Sequence, residues 1–234
     1  AATSGKAPDC VVMNVTIRSM KLHGGAFGSR GGYRPSKEEL ESENIEAVQA
    51  GAMTNLDRHI KNMAAFGVPV IVSINKFASD TDKEIAVLKD AAHASGAASV
   101  TITEVHAKGG EGGEELANAV VKSVQDHVAA GRPFTPLFVK DAPILDKIEA
   151  IATRMYKAKD VYLEAKAKKQ LEQINSWGYG NLPVCMAKTQ YSFSHDAGKL
   201  GAPSGFTLPV REFRLNAGAG FIVAILGNMM TMPG

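Results

Sequence analysis

Asn75, Lys76, Phe77 and Asp80 carry the most chemistry in this chain. They follow directly on the apolar run Val68-Pro-Val-Ile-Val-Ser-Ile74. Val70, Ile71, Val72 and Ile74 read as a parallel strand covered on both faces. Open α/β sheets bind their ligands beyond the carboxyl ends of such strands. An amide, a cation and a carboxylate at that place can hold a polar ligand, and a bare phenyl ring among them suggests stacking on a flat one. A second constellation is Glu104-Val-His-Ala-Lys-Gly-Gly-Glu-Gly-Gly113, which sets a ring, a cation and four glycines at a helix start. Backbone N–H groups there can hold an anion, with Lys108 adding charge. A flexible turn with a chance histidine is the competing reading, and the loop's place in the same sheet as Phe77 favours a site. His23-Gly24-Gly25 is expected in the loop after a first strand, on the same rim, although a lone histidine beside glycines is more often structural.

The elements that must position these residues follow from the pattern. Val11–Ile17 reads as the first strand, followed by a glycine-rich stretch from Lys21 to Gly32. Ser36 and Glu39 form a capping-box spacing that opens a helix with an acidic first turn, and helical spacing continues, with interruptions, to Met63. The strand Val68–Ile74, a helix from Thr81 to Ala94, a strand Ala98–Thr103 and a helix from Glu114 to Val128 come next. Three β-loop-α units in succession imply a parallel sheet. Residues 133–234 change character. Two helices are expected at Ile144–Tyr156 and Leu163–Trp177, then apolar segments at Pro183–Ala187, Phe206–Leu215 and Phe221–Leu226. Phe206–Leu215 partly alternates, as a half-exposed strand does, and Pro209 marks an edge or bulge. Trp177 and Tyr179 are expected to be packing residues. The fold class is therefore α/β, a mostly parallel sheet flanked by helices over residues 1–132 and a smaller α/β region over residues 133–234.

Composition narrows the function classes. The chain has 234 residues, is 45% apolar and carries a formal net charge of +2, so nothing in its balance points to nucleic acid or a membrane. No signal peptide is evident and the apolar runs are too short to span a bilayer, so cytoplasm, or an organelle matrix after processing, is the expected location. Cys10 and Cys185 are expected to be buried free thiols. His59, His93, His127 and His195 lack metal-ligand spacing, and no metal site is expected. Asn75-Lys76 after a strand is like the base-reading Asn-Lys-x-Asp of P-loop GTPases, but position 78 is alanine and the nearest acid is Asp80. The phosphate-binding G-x-x-x-x-G-K-[ST] is absent: Gly5-Lys6 is followed by Ala7 and Gly198-Lys199 by Leu200.

Arg18-Ser-Met-Lys-Leu-His-Gly-Gly25, Val68–Asp82, Ala107–Gly113, Asp146-Lys-Ile148, Gly178-Tyr-Gly-Asn-Leu-Pro183, Met186-Ala-Lys-Thr-Gln-Tyr-Ser192 and Met230-Thr-Met-Pro-Gly234 stand in this order along nearly the whole chain. Together they resemble the formate–tetrahydrofolate ligase family, specifically its carboxyl-terminal part without the P-loop region. The resemblance implies a P-loop-NTPase-like half and a reaction in which ATP, formate and tetrahydrofolate give 10-formyltetrahydrofolate through formyl phosphate. It implies ATP with Mg, tetrahydrofolate as substrate, room for a monovalent cation, and a homo-oligomer in the full-length enzyme. Carried over, Phe77 and the position of His106 sandwich the pterin, with Asn75 beside them. His106 departs from the family's tryptophan and offers less stacking surface. Gly24, Gly25, Lys108, Gly109 and Gly110 resemble the loops that line the nucleotide and folate cleft. No residue is identified as a general acid or base. A non-catalytic folate- or nucleotide-binding or assembly module is the alternative.

Overall fold

The computed structural model describes residues 5–28 and 35–227. The end of the first glycine stretch, Ser29–Gly32, and the Met230–Gly234 motif lie outside them. Contacts divide the chain into two compact units, Ala1–Thr135 and Pro136–Gly234.

In the first unit, β1 (Val11–Val15), β2 (Val70–Asn75) and β3 (Ser99–Thr103) form a parallel sheet with β2 in the middle. Val70, Val72 and Ile74 point into a core with Val15, Val48, Leu56, Ile60, Leu88 and Val100. Ile71 and Ser73 alternate to the other face and are buried as well. The central strand is thus covered on both sides, as its unbroken apolar run predicts, and each buried branched side chain contributes about 1.5–3 kcal/mol.

The helices of this unit are α1 (Ile17–His23), α2 (Lys37–Glu41), α3 (Ile45–Gly51), α4 (Asp57–Ala64), α5 (Asp82–Ala94), the single turn α6 (Val105–Lys108) and α7 (Glu114–Ala129). Capping explains where several begin. Thr16, Ser36 and Thr81 each close a capping box, with Ser19, Glu39 and Glu84 as the reciprocal residues. The Thr16 cap ends the first strand two residues earlier than its β-branched run predicts, so Ile17 and Arg18 are helical. A π-helical stretch, Ala52–Leu56, joins α3 to α4, and the Thr54 hydroxyl donates to the Ala50 carbonyl at 2.7 Å within it. The second glycine stretch is ordered too: Gly109–Gly113 forms a 3-10 turn between α6 and α7.

The second unit contains α8 (Ile144–Ala150), a π-helical extension (Ile151–Met155), β4 (Asp160–Leu163), α9 (Ala165–Ser176), β5 (Val184–Ala187), β6 (Thr207–Val210), β7 (Glu212–Asn216) and β8 (Phe221–Ile225). β4 pairs with β6, and β8 lies between β5 and β7, parallel to the first and antiparallel to the second. Four expectations need correction here. Leu163 belongs to a strand, because Asp160–Leu163 pairs with β6 and the helix starts only at Ala165. Phe206–Leu215 is two strands in two sheets, with Arg211 at the corner, where its N–H donates to the Ile225 carbonyl at 2.8 Å. Pro209 is tolerated because β6 has a strand on one side alone. Trp177 and Tyr179 are exposed rather than packed. Both cysteines are free, yet Cys10 is half-buried and Cys185 exposed, since Cys185 falls on the outward side of β5.

The polar run after β5 is not a solvated loop. Thr189, Ser192, Phe193 and Ser194 are buried. The Ser192 hydroxyl donates to the Lys199 carbonyl at 2.6 Å and lies 2.9 Å from the Ser194 hydroxyl. Lys188 donates to the carbonyls of Thr189 and Ser192 and stands 5.0 Å from the Tyr156 ring centre. Burial pushes the Lys188 ammonium down to about 8 and the Tyr156 phenol up to about 12.

Two predictions follow from this packing. A Cβ on Gly24 would lie 1.8 Å from the Ala47 carbonyl oxygen, and one on Gly51 would lie 2.1 Å from that of Met20. α1 and α3 therefore cross backbone to backbone, and Gly24→Ala must force them apart. It is expected to lower unfolding free energy by about 2 kcal/mol or more, read from the urea midpoint. Lys188 has a folded pKa below its unfolded value, so the unfolded chain binds the extra proton between the two. Stability from this residue is therefore expected to rise as pH increases above about 8, and labelled-lysine NMR should show an amine titrating there that Lys188→Met removes.

Candidate functional site

The carboxyl ends of β1, β2 and β3 lie side by side, in register from Val15 to Ile74 and from Asn75 to Thr103. Asn75 is the last residue of β2, and the Lys76 N–H still pairs with the Thr103 carbonyl at 3.0 Å. The chain then turns. The Asp80 N–H donates to the Phe77 carbonyl at 3.0 Å, while an Asp80 carboxylate oxygen accepts the Phe77 N–H at 2.9 Å. Asp80 is buried, and its other oxygen has no hydrogen-bond partner. Burial raises its carboxyl above the ordinary range, partly opposed by the Phe77 N–H. Phe77 is thereby fixed by its backbone with its ring half-exposed.

The guanidinium of Arg18 lies over that ring, its Cζ 4.2 Å from the centre. Sequence reasoning gave Arg18 no role of its own, since it stands just past the expected first strand. Its signal was the Thr16–Ser19 cap spacing, which turns it onto the rim.

Behind the rim is a buried ion pair. Lys21 Nζ lies 2.8 Å from Glu84 Oε1, and both side chains are nearly inaccessible. The same ammonium donates to the carbonyls of Leu40 and Ser42 at 3.2 and 2.8 Å. Glu84 also accepts the N–H groups of Asn44 and Thr81. Burial pushes the Glu84 carboxyl up, but the Lys21 hydrogen bond, the Asn44 and Thr81 N–H groups and the Lys21 charge together bring it below the ordinary value.

The third loop places His106 on α6, exposed, and Lys108 beside Glu104 at 2.6 Å. The hydrogen bond between them lowers the Glu104 carboxyl and raises the Lys108 ammonium. Gly112 is required by packing, since a Cβ there would meet the Glu104 carbonyl carbon at 2.5 Å; Gly109 and Gly110 face open space. Gly24 and Gly25 follow α1, whose seven residues span about 10 Å, and Gly24 lies against the α3 backbone. The structure thus sets Asn75, Phe77, His106, Lys108, Gly109 and Gly110 on loops of adjacent strands. Gly24 and Gly25 lie in the turn after α1, which follows the neighbouring strand β1.

What this rim can do is hold a flat ring against Phe77. Lys108 is paired with Glu104 and Lys76 stands 3.7 Å from Asp82, both partly exposed contacts that cost little to exchange for another anion. Among the described residues, no group of three or more His, Cys, Asp or Glu side chains converges to hold a metal. No described helix is long and apolar enough to cross a membrane. A separate cleft of about 640 Å³ opens at the other end of the sheet, between Val68–Val70, Ser99 and α7.

Residues 1–234 match the family model for formate–tetrahydrofolate ligase. The chain belongs to the formate–tetrahydrofolate ligase family. It is 46% identical over 231 residues to the formate–tetrahydrofolate ligase of Granulibacter bethesdensis, an alignment that covers 99% of this chain and 38% of the relative. The chain thus spans less than two fifths of the length of that curated ligase. Ligase and one-carbon chemistry follow for the family as a whole.

Glu84→Gln would leave the Lys21 ammonium without its counter-charge, and is expected to cost about 3–5 kcal/mol in chemical unfolding. The folded pKa of Glu84 lies below the unfolded value of roughly 4.3. Its stabilisation is therefore complete above that value and lost as pH falls through the folded one, so the variant should lose part of the acid limb of the stability profile.

Proposed function

We propose that this chain supplies the pteridine-holding side of a formate–tetrahydrofolate ligase. The single observation that carries the reading is Phe77, half-exposed at the carboxyl end of the central strand and locked by both Asp80 hydrogen bonds. Membership of the family adds the reaction. A formate oxygen attacks the γ-phosphorus of ATP and ADP leaves, giving formyl phosphate. N10 of tetrahydrofolate then attacks the formyl carbon, phosphate departs, and N10 loses its proton to give 10-formyltetrahydrofolate. Such steps depend on positioning and on neutralising phosphate charge.

In this reading Phe77 stacks on the pterin, Asn75 lies at its edge and His106 takes the opposite side. Stacking of flat heterocycles on aromatic side chains is worth roughly 1–3 kcal/mol per base in nucleic-acid systems. An imidazole at 106 in place of a larger indole weakens the grip by about tenfold, since about 1.4 kcal/mol is a factor of ten. Lys108, Gly109 and Gly110 approach the nucleotide side, while phosphate activation, with ATP, Mg and any monovalent cation, belongs to the longer protein. Assembly into a homo-oligomer is likewise a property proposed for the whole enzyme.

Calorimetric titration of the purified chain with tetrahydrofolate tests the proposal. Binding is expected, and Phe77→Ala should weaken it by about tenfold or more. Binding that survives the substitution unchanged overturns the stacking role. The same chain given ATP, formate and tetrahydrofolate is expected to make no 10-formyltetrahydrofolate, and turnover by this polypeptide alone would refute the division of labour.

A further inference from the structure

We propose that Arg18 is a positioning residue of the pteridine site. Its guanidinium backs one face of the Phe77 ring, so that a flat reduced heterocycle is received on the other. The inference rests on the reading of Phe77 as the stacking ring.

Arg18 occupies the first turn of α1, which contains no acidic residue. The helix dipole opposes a cation at that place, so the position needs a compensating reason. The Phe77 ring is one: at 4.2 Å from the ring centre, the guanidinium is well within cation–π range. Its Nε is buried and makes no hydrogen bond. Asp80 is close enough for its carboxylate to feel the Arg18 charge, and it too keeps one buried oxygen without a partner.

A guanidinium and a carboxylate near each other ordinarily pair, often through two parallel hydrogen bonds. Here neither completes the pair. Asp80 spends its bonded oxygen on the Phe77 backbone, and Arg18 spends its planar face on the Phe77 ring. Unmet buried polar atoms are costly, and both of these flank a single residue. What the arrangement achieves is a ring fixed from two directions, with its backbone locked by an anion and one face closed by a cation. The cation also draws π density toward itself, which leaves the open face better matched to an electron-rich reduced pteridine.

The test uses the full-length ligase that contains this sequence. Arg18→Met keeps the stem and removes the charge, while Arg18→Lys keeps the charge. Arg18→Met is expected to raise the tetrahydrofolate KM about five- to tenfold, leaving the KM values of ATP and formate unchanged. Arg18→Lys should recover most of that loss. In a Phe77→Leu background, Arg18→Met should add less than about twofold, because the two residues act through one stack.

Additive effects, an ATP KM that rises in parallel, or a methionine variant equal to the parent would overturn the proposal. If Arg18→Met does not fold, Arg18→Gln provides the uncharged comparison with the same expected outcomes. Phe77→Leu without effect on tetrahydrofolate would remove the stacking reading itself. Phe77→Leu with an effect and Arg18→Met without one would remove only the role of Arg18.

Discussion

The buried pair of Lys21 and Glu84 is the contact on which the first unit's rim depends. All three ammonium donors are used, on Glu84, Leu40 and Ser42, and the carboxylate gathers the N–H groups of Asn44 and Thr81 as well. One interaction therefore ties α1, the turn between α2 and α3, and the start of α5. Arg18 sits one turn before Lys21 on α1, and Asp80 immediately precedes Thr81. The two groups that hold Phe77 are thus each a few bonds from the same ion pair. Buried ion pairs contribute little net stability against a hydrophobic alternative, but they penalise every arrangement that separates the charges. Here that penalty falls on any shift of α1 against α5, which is the shift that would loosen the guanidinium from the ring.

The glycines of this unit do the complementary job. Gly24 and Gly51 let α1 and α3 touch through their backbones, which brings α1 close enough for Lys21 to reach the carbonyls of Leu40 and Ser42. Gly24, read from sequence as part of a ligand loop, is also a helix-crossing residue. Gly112 has the same character, since its bare Cα lets Glu104 close the turn that carries His106 and Lys108.

The parallel sheet, the capped starts at Ser36 and Thr81 and the placement of Phe77 were legible because each depends on neighbouring residues. A β-branched run, a serine three residues before a glutamate and a ring after a strand are local patterns. The misreadings share the opposite cause. Lys21, Lys147 and Lys188 carry no sequence signal of burial, yet they are held by carbonyls of Leu40 and Ser42, of Asn181 and Leu182, and of Thr189 and Ser192. For Lys21 and Lys147 the acceptors come from distant segments that no periodicity reveals. The corner at Arg211 and the short strand β4 were hidden in the same way, since a strand of four residues is defined by its partner rather than by its own composition.

The state of the rim cations bears on the proposal that this chain holds the one-carbon acceptor. Activating formate through a phosphate requires positive charge free to meet negative oxygens. Arg18 is laid on Phe77, Lys76 faces Asp82 and Lys108 is bonded to Glu104. Turning any of them to a phosphate would first break an existing contact, and in the case of Lys108 a charge-assisted one. The Lys76 and Lys108 pairs are partly exposed and cost little to break, so what the rim holds firmly is the Phe77 ring, between Arg18 and Asp80. A ring held in this way suits the proposed pteridine side, in a chain whose alignment covers 38% of a curated ligase and whose own sequence has no glycine-lysine phosphate loop. In the proposed division, the segment that grips the one-carbon acceptor is defined by its ring, and the segment that energises the donor by where positive charge is free to meet phosphate.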